Sequence, residues 1–168
     1  MAIAKGQDTI VLVRKLSEET TQSAGYIMYQ TDYTKDMTNE TEETITKDGV
    51  AQSATTPTTE ISLTALSAVD DEQMDAIEDS MISGEPYGFW EINKAVQGVE
   101  LGDEDKYKAV YQEGIITSFS KSAGAEGSVE ITLDVAVYGI PQRGYATLTL
   151  EQQEVVQYAF KDTTPVVE

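Results

Sequence analysis

The side chains of this chain that could do chemistry are mostly carboxylates, and they fall in three clusters: Glu40-Thr41-Glu42-Glu43, Asp70-Asp71-Glu72 and Gly102-Asp103-Glu104-Asp105. Hard cations take oxygen ligands from acidic turns, and a pair of carboxylates can cleave a glycosidic bond. The 102–105 turn has the best look of a cation site. It lacks the ligand spacing, internal Gly and terminal bidentate Glu of an EF-hand, and Lys106 and Lys108 stand beside it. An exposed acidic turn accounts for it better. Asp70-Asp71-Glu72 follows from the preference for acids at a helix N-terminus. Tyr87, Phe89 and Trp90 beside Glu91 would suit a sugar platform, but Phe89 and Trp90 are neighbours in a strand and point to opposite faces. Gly98, Gly102 and Gly114 match no phosphate-binding spacing. There is no Cys and no His. That excludes disulfides, thiolate zinc sites, the usual general base and a Ser-His-Asp arrangement. No catalytic, cofactor-binding or metal-binding set emerges, and no cofactor is expected.

Charge narrows the classes further. The 168 residues carry 30 acids against 11 bases, a formal net charge of −19, and the only Arg residues are Arg14 and Arg143. A phosphate-binding groove needs clustered Lys and Arg. Such a surface keeps molecules apart in solution and repels nucleic acid. Met1 to Lys5 has no basic and apolar blocks of a signal peptide. No apolar run approaches the roughly 20 residues that span a bilayer. Synthesis in the cytosol and no membrane anchor are the expectations.

The elements that must position these residues are mostly strands. Thr and Tyr, both strand formers, are abundant. Strands are expected at Thr9–Lys15, Ala24–Tyr33, Glu42–Thr46, Gly49–Ser53, Glu60–Leu66, Tyr87–Asn93, Tyr107–Lys121, Ser128–Tyr138 and Thr147–Thr149. In Ser128–Tyr138, Val129, Ile131, Leu133, Val135 and Val137 alternate with Glu130, Thr132, Asp134, Ala136 and Tyr138. That pattern describes a strand with one buried face. Ser122–Ser128 reads as the tip of a projecting hairpin. One helix is expected over Asp70–Ile82, with Asp70 as N-cap, Gly84 as stop and Met74, Ile77 and Met81 as its core face. A shorter helix is expected over Leu150–Phe160, with a strand over Val155–Phe160 as the competing reading. The stretch 36–59 is polar and poor in core formers, with a hairpin turn at Lys47-Asp48-Gly49. The fold class is mainly β: an antiparallel β-sandwich or barrel with one flanking α-helix and a long extended loop or hairpin arm. One domain, 1–168, is expected, with 36–59 as a loose arm.

Several pieces recur in a telling order. They are the opening Lys5-Gly6-Gln7-Asp8-Thr9-Ile10-Val11-Leu12-Val13-Arg14, the Thr-rich insertion, the mid-chain helix, the Tyr87-Gly88-Phe89-Trp90-Glu91 strand and the long C-terminal hairpin. Over nearly its whole length the chain resembles phage major tail proteins, the tail tube subunits of long non-contractile-tailed phages of Gram-positive bacteria. The resemblance implies a structural virion protein, not an enzyme, that self-assembles into stacked hexameric rings. The tube would be the conduit for DNA ejection, with DNA passing through unbound. Its partners would be copies of itself, the tape measure protein and tail-end proteins. It would be made in the host cytoplasm and end in the phage tail. The resemblance makes 36–59 an inter-ring arm, with Asp36, Thr38, Glu42, Thr44, Thr46, Asp48 and Gly49 as candidate contacts. For a tube subunit, the polar face carrying Glu130, Thr132 and Asp134 is the candidate lumen wall. Two other classes remain open: a carbohydrate-binding β-sandwich module of a larger assembly, and an acidic DNA mimic that blocks a DNA-binding protein.

Overall fold

The computed structural model describes residues 2–27 and 29–149. Its elements are β1 Thr9–Lys15, β2 Gly25–Tyr26, β3 Gln30–Thr38, β4 Thr41–Thr46, β5 Gly49–Ala54, β6 Thr58–Leu66, α1 Glu72–Ser83, β7 Tyr87–Gln97, β8 Lys106–Ser122 and β9 Glu130–Thr147. Seven strands form one sheet in the order β2-β1-β7-β8-β9-β6-β3, and β4 and β5 pair separately. Every pairing is antiparallel.

β8 and β9 bend this sheet over on itself. They pair from Lys106↔Thr147 to Ser122↔Glu130, with register shifts at Tyr111/Glu113 and Ile116/Ser118. Bulges of this kind kink a strand and increase its twist. Gly139 supplies a left-handed backbone angle, φ 73°, beside the first shift, where a side chain would be strained. The fold-over brings β3 against β1 and β7, where side chains close the gap. Val11 N donates to Gln30 Oε1 at 3.0 Å, and Gln30 Nε2 donates to Val11 O at 2.7 Å. The amide thus stands in for a strand partner. Tyr33 OH donates to Glu91 Oε2 at 2.8 Å, and Lys35 Nζ lies 3.5 Å from the same oxygen. The result is the expected antiparallel sandwich.

The core divides by face. Val11, Val13, Leu63, Phe89, Leu133 and Val135 lie in the cluster enclosed by the folded sheet. Ile10, Leu12, Ile92, Ala109 and Leu148 form a second cluster on the other side. β1 is therefore buried on both faces, which explains its unbroken apolar run.

α1 covers one end of the enclosed cluster. Its N-cap is Asp71, not the expected Asp70: Asp71 Oδ1 accepts from Gln73 N at 3.1 Å and Met74 N at 3.4 Å. Asp70 instead turns the chain with φ 57°. Gly84 closes the helix at φ 75°, the usual role of glycine at this position. Met74 and Ile77 are buried. Met81 corrects the expected core face, because it is 38% exposed and Ser80 is buried instead. Residues 81–83 are all exposed; beyond Ser80 the helix overhangs the packed surface formed by the described residues.

Other expectations shift with the pairing. The segment Ala24–Tyr33 is not one strand. Gly25–Tyr26 pairs with β1 and Gln30 onward with β6. Tyr29, at φ 56°, breaks the chain between them. The last long strand starts at Glu130 and continues to Thr147. The possible helix Leu150–Phe160 lies outside the described residues.

Candidate functional site: a base-free acidic face and a projecting hairpin

Register places a wide polar surface on the outside of β3, β6, β9 and β8. Residues directly opposite each other in an antiparallel ladder share a face. β6 meets β9 through Ser62↔Asp134 and Thr64↔Thr132. β3 meets β6 through Asp32↔Thr64, Thr34↔Ser62 and Asp36↔Glu60. β8 adds Ser118↔Asp134, Ser120↔Thr132 and Ser122↔Glu130. Glu130, Thr132 and Asp134 are thus together on one face, the two acids exposed and Thr132 half-buried. Thr132 Oγ1 lies 3.5 Å from Thr64 Oγ1 across the strands.

The sequence reading missed the contribution of β3 and β6. Asp32, Asp36 and Glu60 share this face with Glu130 and Asp134, whereas Lys35 (opposite Ile61) and Lys121 (opposite Ile131) fall on the other side. Among the described residues the surface carries Ser, Thr, Asp and Glu with Leu66 and Ala136, and no Lys or Arg. The ion pairs Lys15–Glu85, Lys35–Glu91 and Lys106–Asp103 all lie off it. Asp36 and Glu60 stand directly opposite each other, although like charges in that position destabilise a sheet. Glu60–Leu66 is among the expected strands, and its alternation Glu60-Ile61-Ser62-Leu63-Thr64-Ala65 is the signal that could have assigned it a polar side to join that of β9.

The second feature is the hairpin. Asp36 and Thr38, expected in the arm, belong to β3 in the main sheet; the projecting part begins at Asn39. Beyond β3 and β6, Thr55 N donates to Glu40 O at 2.8 Å. The pairing then runs from Thr41↔Ala54 to Thr46↔Gly49. Lys47-Asp48 forms the turn, Gly49 has φ 137°, and Thr46 Oγ1 donates to Gly49 O at 2.7 Å. Every residue of β4 and β5 is exposed, including the cross-strand pair Ile45, 84% exposed, and Val50, 58% exposed. Glu42, Thr44 and Thr46 lie on the opposite side of the ribbon from that pair.

The other candidate surfaces are occupied. Trp90 is half-buried, with the Tyr111 ring 4.8 Å from its own and the Arg14 guanidinium carbon 4.9 Å above it. Phe89 is buried. Asp103 of the acidic turn pairs with Lys106 at 3.4 Å.

A β-rich subunit with this acidic face and this arm can be compared with known proteins. The family of phage tail tube proteins matches residues 3–143. The chain belongs to the phage tail tube protein family. A putative tail protein of Staphylococcus phage phiMR25 is 31% identical over 160 residues, 94% of this chain and 81% of that protein. Among solved structures, the SPP1 tail tube subunit superposes with a TM-score of 0.74 at 25% identity, covering 97% of this chain and 95% of that one. A tail subunit of a gene transfer agent particle, solved with helical refinement and C6 symmetry, gives 0.60 at 15% identity, over 83% and 98% of the two chains. The fold is that of a structural tube subunit. For a tail tube protein, the base-free face and the exposed arm are the features to explain.

Proposed function

We propose that six copies of this tail tube protein close into a ring, that rings stack through the 39–57 arm, and that the face carrying Glu130, Thr132 and Asp134 lines the lumen. The single observation that supports the lumen assignment is the partition of charge. Five carboxylates, Asp32, Asp36, Glu60, Glu130 and Asp134, share four neighbouring strands with hydroxyls and no base. A wall of this kind repels phosphates at short range, and salt screens the repulsion beyond about 10 Å. DNA then slides without adhering. Stacking through the arm is supported by its exposure: among the described residues nothing covers Ile45 and Val50. The C6 symmetry of the gene transfer agent tail supports six-fold closure.

On this reading the chain acts as one unit without catalysis, is made in the host cytoplasm and ends in the virion tail. Its further partners are the tape measure protein in the lumen and the tail-end proteins. Electron microscopy of the purified protein at high concentration tests the assembly. Hollow tubes with six-fold cross-sections are expected. Monomers at every concentration, or tubes whose lumen is lined by the Trp90 face, would contradict it.

A further inference from the structure

Taking the stacking role of the arm as its basis, we propose that the arm tip, Ile45, Lys47 and Val50, inserts into one defined surface of a second copy in the next ring: the turn Val69-Asp70 together with Tyr29 and Glu130. These residues form one contiguous end of the molecule. Leu66 N donates to Tyr29 O at 3.0 Å, and Ser67 N donates to Val129 O at 2.8 Å. Leu66 is also the strand partner of Glu130. Val69 is 100% exposed and Tyr29 57% exposed. Tyr29 and Asp70 are also the two non-glycine residues with positive φ among the described residues, at 56° and 57°. Two positive-φ residues at one end, with the exposed Tyr29 and Val69 side chains beside them, mark a surface kept for contact.

Chemistry matches the two parts. The tip is an apolar pair beside Lys47, the sole base among residues 36–59. The receiving end offers Val69 and Tyr29 beside the exposed acids Asp70 and Glu130.

Position matches as well. Arm and receiving surface sit at opposite ends of β6, whose nine residues span about 30 Å at roughly 3.3 Å each. The arm is exposed throughout, so it is not folded back along the sheet. A tip at one end that fits a site at the other end makes a heterologous contact, and such a contact builds an open stack when successive copies are displaced along an axis and do not close into a ring.

The chain has no Cys, so Val50→Cys combined with Val69→Cys reports this contact alone. Tubes assembled under reducing conditions and then oxidised should give a ladder of covalent multimers running beyond six chains, with Val50→Cys alone giving none beyond dimers. A ladder that stops at six places the contact within a ring and overturns the proposal, as does the absence of a ladder from intact tubes. If the double variant does not assemble, charge reversal decides. Lys47→Glu and Asp70→Lys should each cut sedimentable tubes at least about tenfold with the subunit still folded, and their combination should restore them. Loss with Lys47→Glu but neither loss with Asp70→Lys nor restoration would reject this receiving surface and leave the arm's stacking role standing. Wild-type tube yield from all of these variants would reject both.

Discussion

Ile77 shows how a single side chain holds this fold. It is fully buried, between α1 and the enclosed face of the sheet. Ile77→Ala removes packing that the surroundings cannot refill and should cost about 2–5 kcal/mol, read as a lower urea midpoint at unchanged slope. Met81→Ala, on the turn that overhangs the sheet, should change stability by no more than about 0.5 kcal/mol. Equal effects of the two would refute this description of the helix. Tyrosines set the alkaline limit. Burial, then the charge of Glu91, pushes the Tyr33 hydroxyl well above its ordinary value. Burial moves Tyr87 up to about 12. Burial with a hydrogen bond to Glu113 moves Tyr111 up to about 12. In the unfolded chain these groups lose protons near pH 10, while the folded chain still holds them. The unfolded state then binds fewer protons, so their contribution is complete below about pH 10 and is lost as pH rises toward 12. Lys94, whose pKa burial lowers, works with the opposite sign, and three tyrosines outweigh it. The thermal midpoint should therefore fall above about pH 10, less steeply in Tyr33→Phe. A flat or rising midpoint there would count against the buried tyrosines.

Among the elements, the arm is the one the subunit can spare. Every residue of β4 and β5 is exposed, and among the described residues the two strands pair only with each other. Joining Thr38 to Thr58 by a two-residue turn should leave the thermal midpoint nearly unchanged, because loop shortening changes closure entropy only modestly. Tube formation should be lost. Long tubes from that variant would remove the arm from stacking. In the intact chain, amide hydrogens of β4–β5 should exchange rapidly in free subunits and slowly in tubes, since an exposed two-stranded ladder opens at little cost until a neighbour covers it.

Across the whole molecule, charge separates by face. The folded sheet turns Asp32, Asp36, Glu60, Glu130 and Asp134 outward on one side. It holds Arg14 against Trp90 on the half built from β1 and β7. Converting Glu60 and Asp134 to Lys should leave both fold and tubes intact, because both side chains are exposed and neither belongs to the arm or to its receiving surface. If the face lines the lumen, those lysines attract phosphates. DNA ejection from virions carrying both changes should then slow markedly at low salt and recover as salt rises. Ejection at the wild-type rate in low salt would move this face to the outside of the tube.

The local features of this protein were already determined by its sequence. Period-two alternation marked Glu60–Leu66 and the strand carrying Glu130 and Asp134, Lys47-Asp48-Gly49 marked a hairpin turn, and Gly84 marked a helix end. Each depends on backbone geometry over a few residues. Tertiary structure alone decided what pairing over long distances controls. It divided 24–33 between β1 and β6, because β2 and β3 find different partners across a break at Tyr29. It left Met81 in solvent, because helical spacing does not say where the sheet beneath the helix ends. It closed β3 on β1 through Gln30, a residue with no local signature. It also gathered five carboxylates from three strands onto one face. Alternation says that each points away from its strand's apolar side, but only the ladder says that those sides are the same.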